Sequence, residues 1–249
     1  MIQLLLGLLV GVGPSLAMYF WLRGYGNRDP AFKQTCGKAL VAGLLATFPI
    51  VLFSGVLYLL LRASGLSAHP LLYQAVYTFI VLAFSEELMK YLAFRRFLNK
   101  TAYAYSWLEL VVLMAIVGLG FGMSESLLYA LGSNPVVMLI RGISLPHCGY
   151  AAIVGWFFAR SVKTGRRGER VLGFVIAWLI HGLYDFSLAK EFAAANQNLA
   201  VAIALVLTFL NIVLAVALIV FVVKAKKSGR YSEPIFAAET AENKVEKEK

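Results

Sequence analysis

A histidine and an aspartate lie four residues apart in an apolar stretch towards the C-terminal end of the chain. His181 and Asp185 belong to the segment HGLYDF, and the i, i+4 spacing puts two side chains on one face of a helix. Both side chains could then bind one metal ion. Alternatively, Asp185 could orient and polarise the His181 imidazole as its hydrogen-bond partner. The spacing by itself leaves both uses open.

A second histidine lies at a similar depth in an earlier apolar stretch. His147 follows Pro146, and Glu125 lies in the apolar stretch before that one. Two histidines and two carboxylates from neighbouring helices are nitrogen and oxygen ligands that zinc accepts. A single histidine inside a membrane often does no more than hydrogen-bond a neighbouring helix. That explanation is weaker for His147 and His181 together, because Glu125 and Asp185 accompany them.

Two adjacent glutamates occur in the segment SEELMK. Glu86 and Glu87 point about 100° apart on a helix, so they are expected to have different roles. Glu87 and Lys90 are three residues apart and can form an ion pair, which could be a snorkelling pair at the membrane interface. Glu86 is the freer carboxylate and suits a general base that takes a proton from water.

The composition indicates where these residues must lie. Apolar residues make up 60% of the 249 residues and charged residues only 14%, and the mean hydropathy is +0.76. A soluble domain is about half apolar and a quarter charged, so the chain is predicted to be an integral membrane protein. Its net charge of +10 is interpreted as a marker of cytoplasmic loops, and no nucleic-acid partner is predicted.

The apolar stretches predict an all-α, polytopic membrane domain over residues 1–227, with a flexible, charged cytoplasmic tail over residues 228–249. Twenty of the 23 Lys and Arg residues fall on one side of such a bundle, which predicts an outside N-terminus and a cytoplasmic C-terminus. The expected location is the cell membrane. The seven predicted spans are Ile2 to Leu22, Ala39 to Leu61, Leu71 to Met89, Tyr103 to Leu131, Val136 to Ala159, Val171 to Leu188 and Leu199 to Val223.

The sequence predicts different depths in the membrane for Glu86 and Glu125. If each span is centred in the bilayer, Glu86 lies roughly 10 Å to the cytoplasmic side of the midplane and Glu125 roughly 10 Å to the other side. They could share one centre only if a span is tilted, shifted or broken. Gly118 and Gly122 form a small-xxx-small pair that lets another helix approach just before Glu125.

Four motifs in consecutive predicted spans resemble those of the PrsW family of intramembrane proteases, within the larger group that includes the CAAX-prenyl proteases. The resemblance covers about residues 85–186. Its motifs are Glu86-Glu87-Leu88-Met89-Lys90, Phe121-Gly122-Met123-Ser124-Glu125, the stretch from Arg141 to His147 with Gly155, and His181-Gly182-Leu183-Tyr184-Asp185-Phe186.

The resemblance implies a peptidase that cuts a membrane-anchored substrate, in some members an anti-sigma factor. By position, Glu86 would be the water-activating base and Glu87 would support it. The ligands of a metal or transition-state site would be Glu125, His147, His181 and Asp185. Zinc is the expected metal, with a metal-free glutamate mechanism as the alternative.

We therefore expect an intramembrane endopeptidase that acts on a single-pass membrane protein within the lipid bilayer. The alternative is a proton-coupled transporter or channel, because buried Glu, His and Asp side chains also form proton relays. Inverted repeats would favour the transporter, and the sequence has no convincing internal repeat. The sequence does not indicate the oligomeric state.

Overall fold

The chain is described here from a computed structural model that covers residues 2–25, 29–99, 103–129 and 135–237. This part is almost entirely helical, which confirms the predicted all-α class. The helices are α1 (Ile2–Tyr25), α2 (Pro30–Leu45), α3 (Thr47–Ala63), α4 (Pro70–Val76), α5 (Ser85–Leu98), α6 (Trp107–Tyr129), α7 (Pro135–Ser144), α8 (Pro146–Thr164), α9 (Gly168–Ser187), α10 (Lys190–Ala195) and α11 (Gln197–Ser228). A 3₁₀ turn, Leu66–Ala68, precedes α4, and a π-helical segment, Tyr77–Phe84, joins α4 to α5.

Within the described residues, four helices are long and apolar enough to cross a membrane: Pro30–Ala63, Pro70–Leu98, Trp107–Leu128 and Gln197–Ser228. They coincide with four of the predicted spans, and the chain is a multi-pass membrane protein. The total of seven spans and the orientation of the termini stay predictions.

Helix α6 forms the centre of the bundle. Its residues from Leu110 to Val117 are at most 2% exposed, and α6 packs against α1, α2 and α8. A helix that is apolar on every side is stable where other helices surround it. The helix that carries Glu125 is therefore held from several directions.

The second predicted span is interrupted at Ala46, where α2 ends and α3 begins. Pro49 explains the interruption, because proline cannot donate a backbone hydrogen bond and its ring collides with the carbonyl four residues earlier, that of Leu45. The hydroxyl of Thr47 donates to the neighbouring carbonyl of Leu44, at 2.8 Å.

The fifth predicted span, Val136 to Ala159, is wrong as a single helix. The chain breaks at Leu145, which has the left-handed backbone angles φ 46° and ψ 49°, and α8 begins at Pro146. Proline disfavours the helical conformation in the residue before it and cannot continue the hydrogen-bond ladder. His147 is therefore the second residue of α8 and not a residue in the middle of a helix.

Two short strands lie where the sequence predicted other structure. Strand β1 (Ala104–Ser106) occupies the predicted start of the fourth span, and it pairs antiparallel with β2 (Pro234–Ala237). The backbone N–H of Leu108 also donates to the carbonyl of Tyr231 at 3.1 Å. The C-terminal segment is thus folded onto the bundle as far as Ala237, beyond the predicted start of the flexible tail at residue 228. The remainder of that tail, 238–249, lies outside the described residues.

Candidate active site

Helix α5 contributes an ion pair and a partly accessible carboxylate. The Lys90 ammonium donates to Glu87 Oε1 at 2.5 Å, and both side chains are fully buried. The ammonium also lies 4.7 Å from the centre of the Phe121 ring. This burial is inconsistent with the snorkelling interfacial pair that the sequence left open. Glu86, on the neighbouring face of the helix, keeps 13% of its side chain exposed.

Helix α9 places His181 between the two glutamates of α5. The ring Nδ1 donates to Glu87 Oε1 at 2.8 Å. The other nitrogen, Nε2, lies 3.2 Å from Asp185 Oδ2 and 3.6 Å from Glu86 Oε2. The i, i+4 spacing thus brings Asp185 to His181, while the contact with Glu87 orients the ring so that Nε2 faces Glu86.

His147 of α8 connects this group to the remaining motif. An ammonium can only donate, so Nδ1 of His147 accepts from Lys90 Nζ, at 3.1 Å. The opposite nitrogen, Nε2, then donates to Glu125 Oε2 at 2.5 Å. The other oxygen of Glu125 accepts from the Arg141 guanidinium at 2.8 Å. Arg141 is therefore the counter-ion of the Glu125 carboxylate.

Close approach of α8 to α6 resolves the conflict over the depth of Glu125. A Cβ atom on Gly118 would lie 2.2 Å from the backbone oxygen of His147, and one on Gly122 would lie 3.3 Å from its ring. Only glycine at Gly118 permits this contact. The break at Leu145 supplies the other half of the explanation, because it places His147 at the very start of α8, facing Glu125.

The structure thus brings all six predicted site residues into one network, and Lys90 and Arg141 complete it. The ligand set that the sequence predicted was His147, His181, Asp185 and Glu125. The set whose ligand atoms come within 4.8 Å of one another is Glu86, His147 and His181. Asp185 instead contacts the imidazole of His181, and Glu125 contacts that of His147.

The chemistry of this set fits a zinc ion. Two histidines and one glutamate are a known ligand set of catalytic zinc, in which a fourth position is left for water. Among the described residues, Glu86 Oε2 and His181 Nε2 are buried polar atoms that make no hydrogen bond. Nδ1 of His147 faces the Lys90 ammonium and would have to give up that contact to bind metal.

Two buried polar side chains beside the network were not singled out in the sequence. The Tyr150 ring stacks on the His181 ring, with centroids 5.2 Å apart and planes 25° apart. Asn211 of α11 is fully buried, and its side chain lies beside that of Tyr150. The available signal was Asn211 itself, since an amide within a long apolar helix is costly in lipid.

The fold and this site define a class: a multi-pass membrane protein with a cluster of glutamate and histidine side chains buried between its helices. A sequence model described as "PrsW family intramembrane metalloprotease" matches residues 33–222. The chain belongs to this family, which makes it a membrane protease.

Two curated relatives have the same name, "Protease PrsW". The relative from Geobacillus kaustophilus is 28% identical over 189 residues, which cover 73% of this chain and 79% of the relative. The relative from Bacillus subtilis is 25% identical over 186 residues, which cover 72% and 80%. No solved structure gives a significant match. These relationships do not favour the transporter alternative.

Proposed function

We propose that the chain is a metal-dependent intramembrane endopeptidase that hydrolyses a peptide bond in or near the membrane segment of a single-pass protein. A membrane-anchored regulator such as an anti-sigma factor is a candidate substrate. One observation carries the proposal: carboxylates and imidazoles from α5, α6, α8 and α9 meet in one buried network in which the Glu86 carboxylate keeps an unpaired oxygen.

Glu86 is the best-supported base of this network. Glu87 is bound by the Lys90 ammonium and Glu125 by the Arg141 guanidinium, so a cation already neutralises each of them. Glu86 has no lysine or arginine partner among the described residues. In the proposed reaction it takes a proton from water, the water oxygen attacks the scissile carbonyl carbon, and the C–N bond breaks as Glu86 returns the proton to the leaving nitrogen.

The other network residues hold the two imidazoles in position. Glu87 receives the Nδ1 proton of His181, which leaves Nε2 directed at Glu86. Glu125, itself held by Arg141, receives the Nε2 proton of His147. A carboxylate on the far nitrogen is the usual arrangement for a metal-binding histidine, since it sets the tautomer and the ring orientation.

His147, His181 and one carboxylate oxygen of Glu86 would hold the metal ion, and the second oxygen of Glu86 would take the proton from the water. Zinc bound there would lower the pKa of its water towards about 7 and polarise the scissile carbonyl. In the metal-free alternative, Glu86 and Nε2 of His181 activate the water between them.

Metal content distinguishes the two versions. We expect the purified protein to hold close to one zinc per chain, and His181→Ala to lose most of it, because an imidazole is removed from a three-residue site. Elemental mass spectrometry on protein in detergent measures this directly. Lys163→Ala, an exposed substitution in the last turn of α8, should leave the zinc content unchanged. Equal, near-zero zinc in the wild type and His181→Ala would reject the metal.

The activity is tested by comparing membrane-protein fragments from cells with and without the chain. Peptidase activity predicts pairs of fragments whose new ends map within or beside a membrane segment and which occur only when the chain is present. Identical fragment sets in the two membranes would contradict the proposed function.

A further inference from the structure

We infer that the substrate's membrane segment binds in a lipid-facing crevice between α2–α3 and the helix formed by α4, the π-helical segment and α5. The inference rests on the proposed peptidase activity for the identity of the occupant. It names a binding site that leads to Glu86 from the bilayer.

Two cavities follow this pair of helices. The first, about 610 Å³, lies between the junction of α2 with α3 and helix α5. It is lined mainly by apolar side chains, and the cations Lys38 and Arg96 also line it. The second, about 510 Å³, lies between α3 and the π-helical segment. On the α4–α5 side, the second cavity ends at Leu82 and the first begins at Met89. Glu86 lines neither cavity but lies between these two positions along the helix.

Glu86 belongs to the helix face that lines the crevice. Met89 and Ala93 both line the first cavity, and they follow Glu86 at i+3 and i+7, which places all three on one side of α5. Ala46, Ile50 and Phe121 form a buried cluster against Met89 and Ala93, so they make the floor of the crevice at this level. A segment lying in the crevice would therefore pass the accessible edge of Glu86.

The second cavity has the polar groups that an unwound segment requires. A helix shields the carbonyl carbon of each peptide bond, so a scissile segment must open, and in lipid its freed backbone groups must find new partners. The cavity is lined by Ser54, Tyr58, Tyr73, Gln74 and Tyr77, together with Val51, Gly55, Val81 and Leu82. The Ser54 hydroxyl donates to the Ile50 carbonyl and the Gln74 amide donates to Thr78, so a bound peptide would compete with these contacts. Polar side chains facing lipid are costly, whereas hydroxyl and amide groups suit an extended backbone. The polar lining favours a peptide over an acyl chain as occupant.

Irregular helical backbone borders the crevice on both sides. Pro49 follows the interruption between α2 and α3, and the π-helical segment, which contacts α3, ends just before Glu86. A π-helix is rare and is frequent at functional sites. A Cβ atom at Gly55, in the wall of the second cavity, would meet no atom within 4 Å, so this position faces open space.

Filling the crevice at Gly55 tests the inference. Gly55→Trp should project an indole into the second cavity without disturbing packing, and Gly13→Trp on α1 is the matched control, since a Cβ there also meets nothing within 4 Å. The probe is a synthetic single-span peptide with a Leu-Ala core and a central Gly-Gly pair, reconstituted with the protein in phosphatidylcholine vesicles.

Binding of the probe is measured with a photo-cross-linking residue at Val51, which lines the cavity and is 71% exposed. The same residue at Leu205 of α11, 66% exposed, is the control.

We expect cross-linking to the probe from Val51 and not from Leu205, reduced at least fivefold by Gly55→Trp and unchanged by Gly13→Trp. Equal cross-linking from the two positions, adducts with lipid alone, or no effect of Gly55→Trp would overturn the crevice. This readout requires no cleavage, so it is independent of the fragment comparison. Cross-linking without cleavage would contradict the peptidase, and cleavage without selective cross-linking would contradict only the crevice.

Discussion

Glu86→Gln is expected to lower kcat for cleavage of an anchored substrate by about 10²–10⁴-fold, the usual contribution of a positioned general base. Glutamine keeps the shape of the side chain but cannot take a proton from water. The protein should fold normally, because the Glu86 carboxylate makes no hydrogen bond to another described residue through its buried oxygen. Single-turnover cleavage in vesicles, with a substrate taken from the fragment comparison, measures the effect.

Two further variants, Glu86→Asp and Glu191→Gln, test whether the effect is specific to the base. Glu86→Asp retains the base but withdraws it by one methylene, so its rate should fall between those of the wild type and Glu86→Gln, with KM unchanged in both. Glu191→Gln removes an exposed carboxylate on α10 and should cleave at the wild-type rate. Cleavage by Glu86→Gln at the rate of Glu191→Gln would remove Glu86 from the mechanism.

Lys90→Met is expected to produce the largest loss of stability, about 3–5 kcal/mol in the free energy of unfolding, because it leaves the Glu87 carboxylate buried without its cation. Methionine fills a similar volume, so the loss reflects charge more than packing. The double variant Glu87→Gln/Lys90→Met should recover most of the stability, because a neutral pair carries no unpaired charge. Unfolding in mixed detergent micelles provides the measurement.

An exposed ion pair provides the control for the Lys90 and Glu87 variants. Arg160 and Glu169 also form an ion pair, at 3.2 Å, but Arg160 is 49% exposed, so Glu169→Gln should cost less than about 1 kcal/mol. A Lys90→Met protein as stable as Glu169→Gln would show that the buried pair is not a structural unit. If Glu87→Gln/Lys90→Met were as unstable as Lys90→Met, the unpaired Glu87 charge would not be the cause of the loss.

Contacts within single helices were predictable from the sequence. The helical period alone places Asp185 beside His181 and Lys90 beside Glu87, and both pairs are present. The period also puts Glu86 and Glu87 on different faces, and the structure places them at opposite nitrogens of His181. Local geometry determines such contacts, so they do not depend on how the helices pack.

Burial and the bends within helices were less accessible to sequence reasoning. Lys90 lies near the end of an apolar stretch, which is equally consistent with a snorkelling pair, and only packing around α5 shows that it is enclosed. Pro146 was visible, but a proline within an apolar run can either kink a helix or end it. The left-handed conformation of Leu145 shows which outcome the bundle imposes.

The sequence by itself determined that this is a membrane protein, that it resembles a protease family, and which ionisable side chains lipid would not tolerate without partners. The tertiary structure alone decided that Glu125 meets His147 and Arg141, and that Glu86 joins the two histidines in the candidate ligand group. The physical reason is that contacts within a helix are local in sequence, whereas contacts between helices are not. A helix sets the positions of its own side chains through a fixed rise and turn, whereas contact between helices depends on tilt, breaks and the close approach that residues such as Gly118 allow.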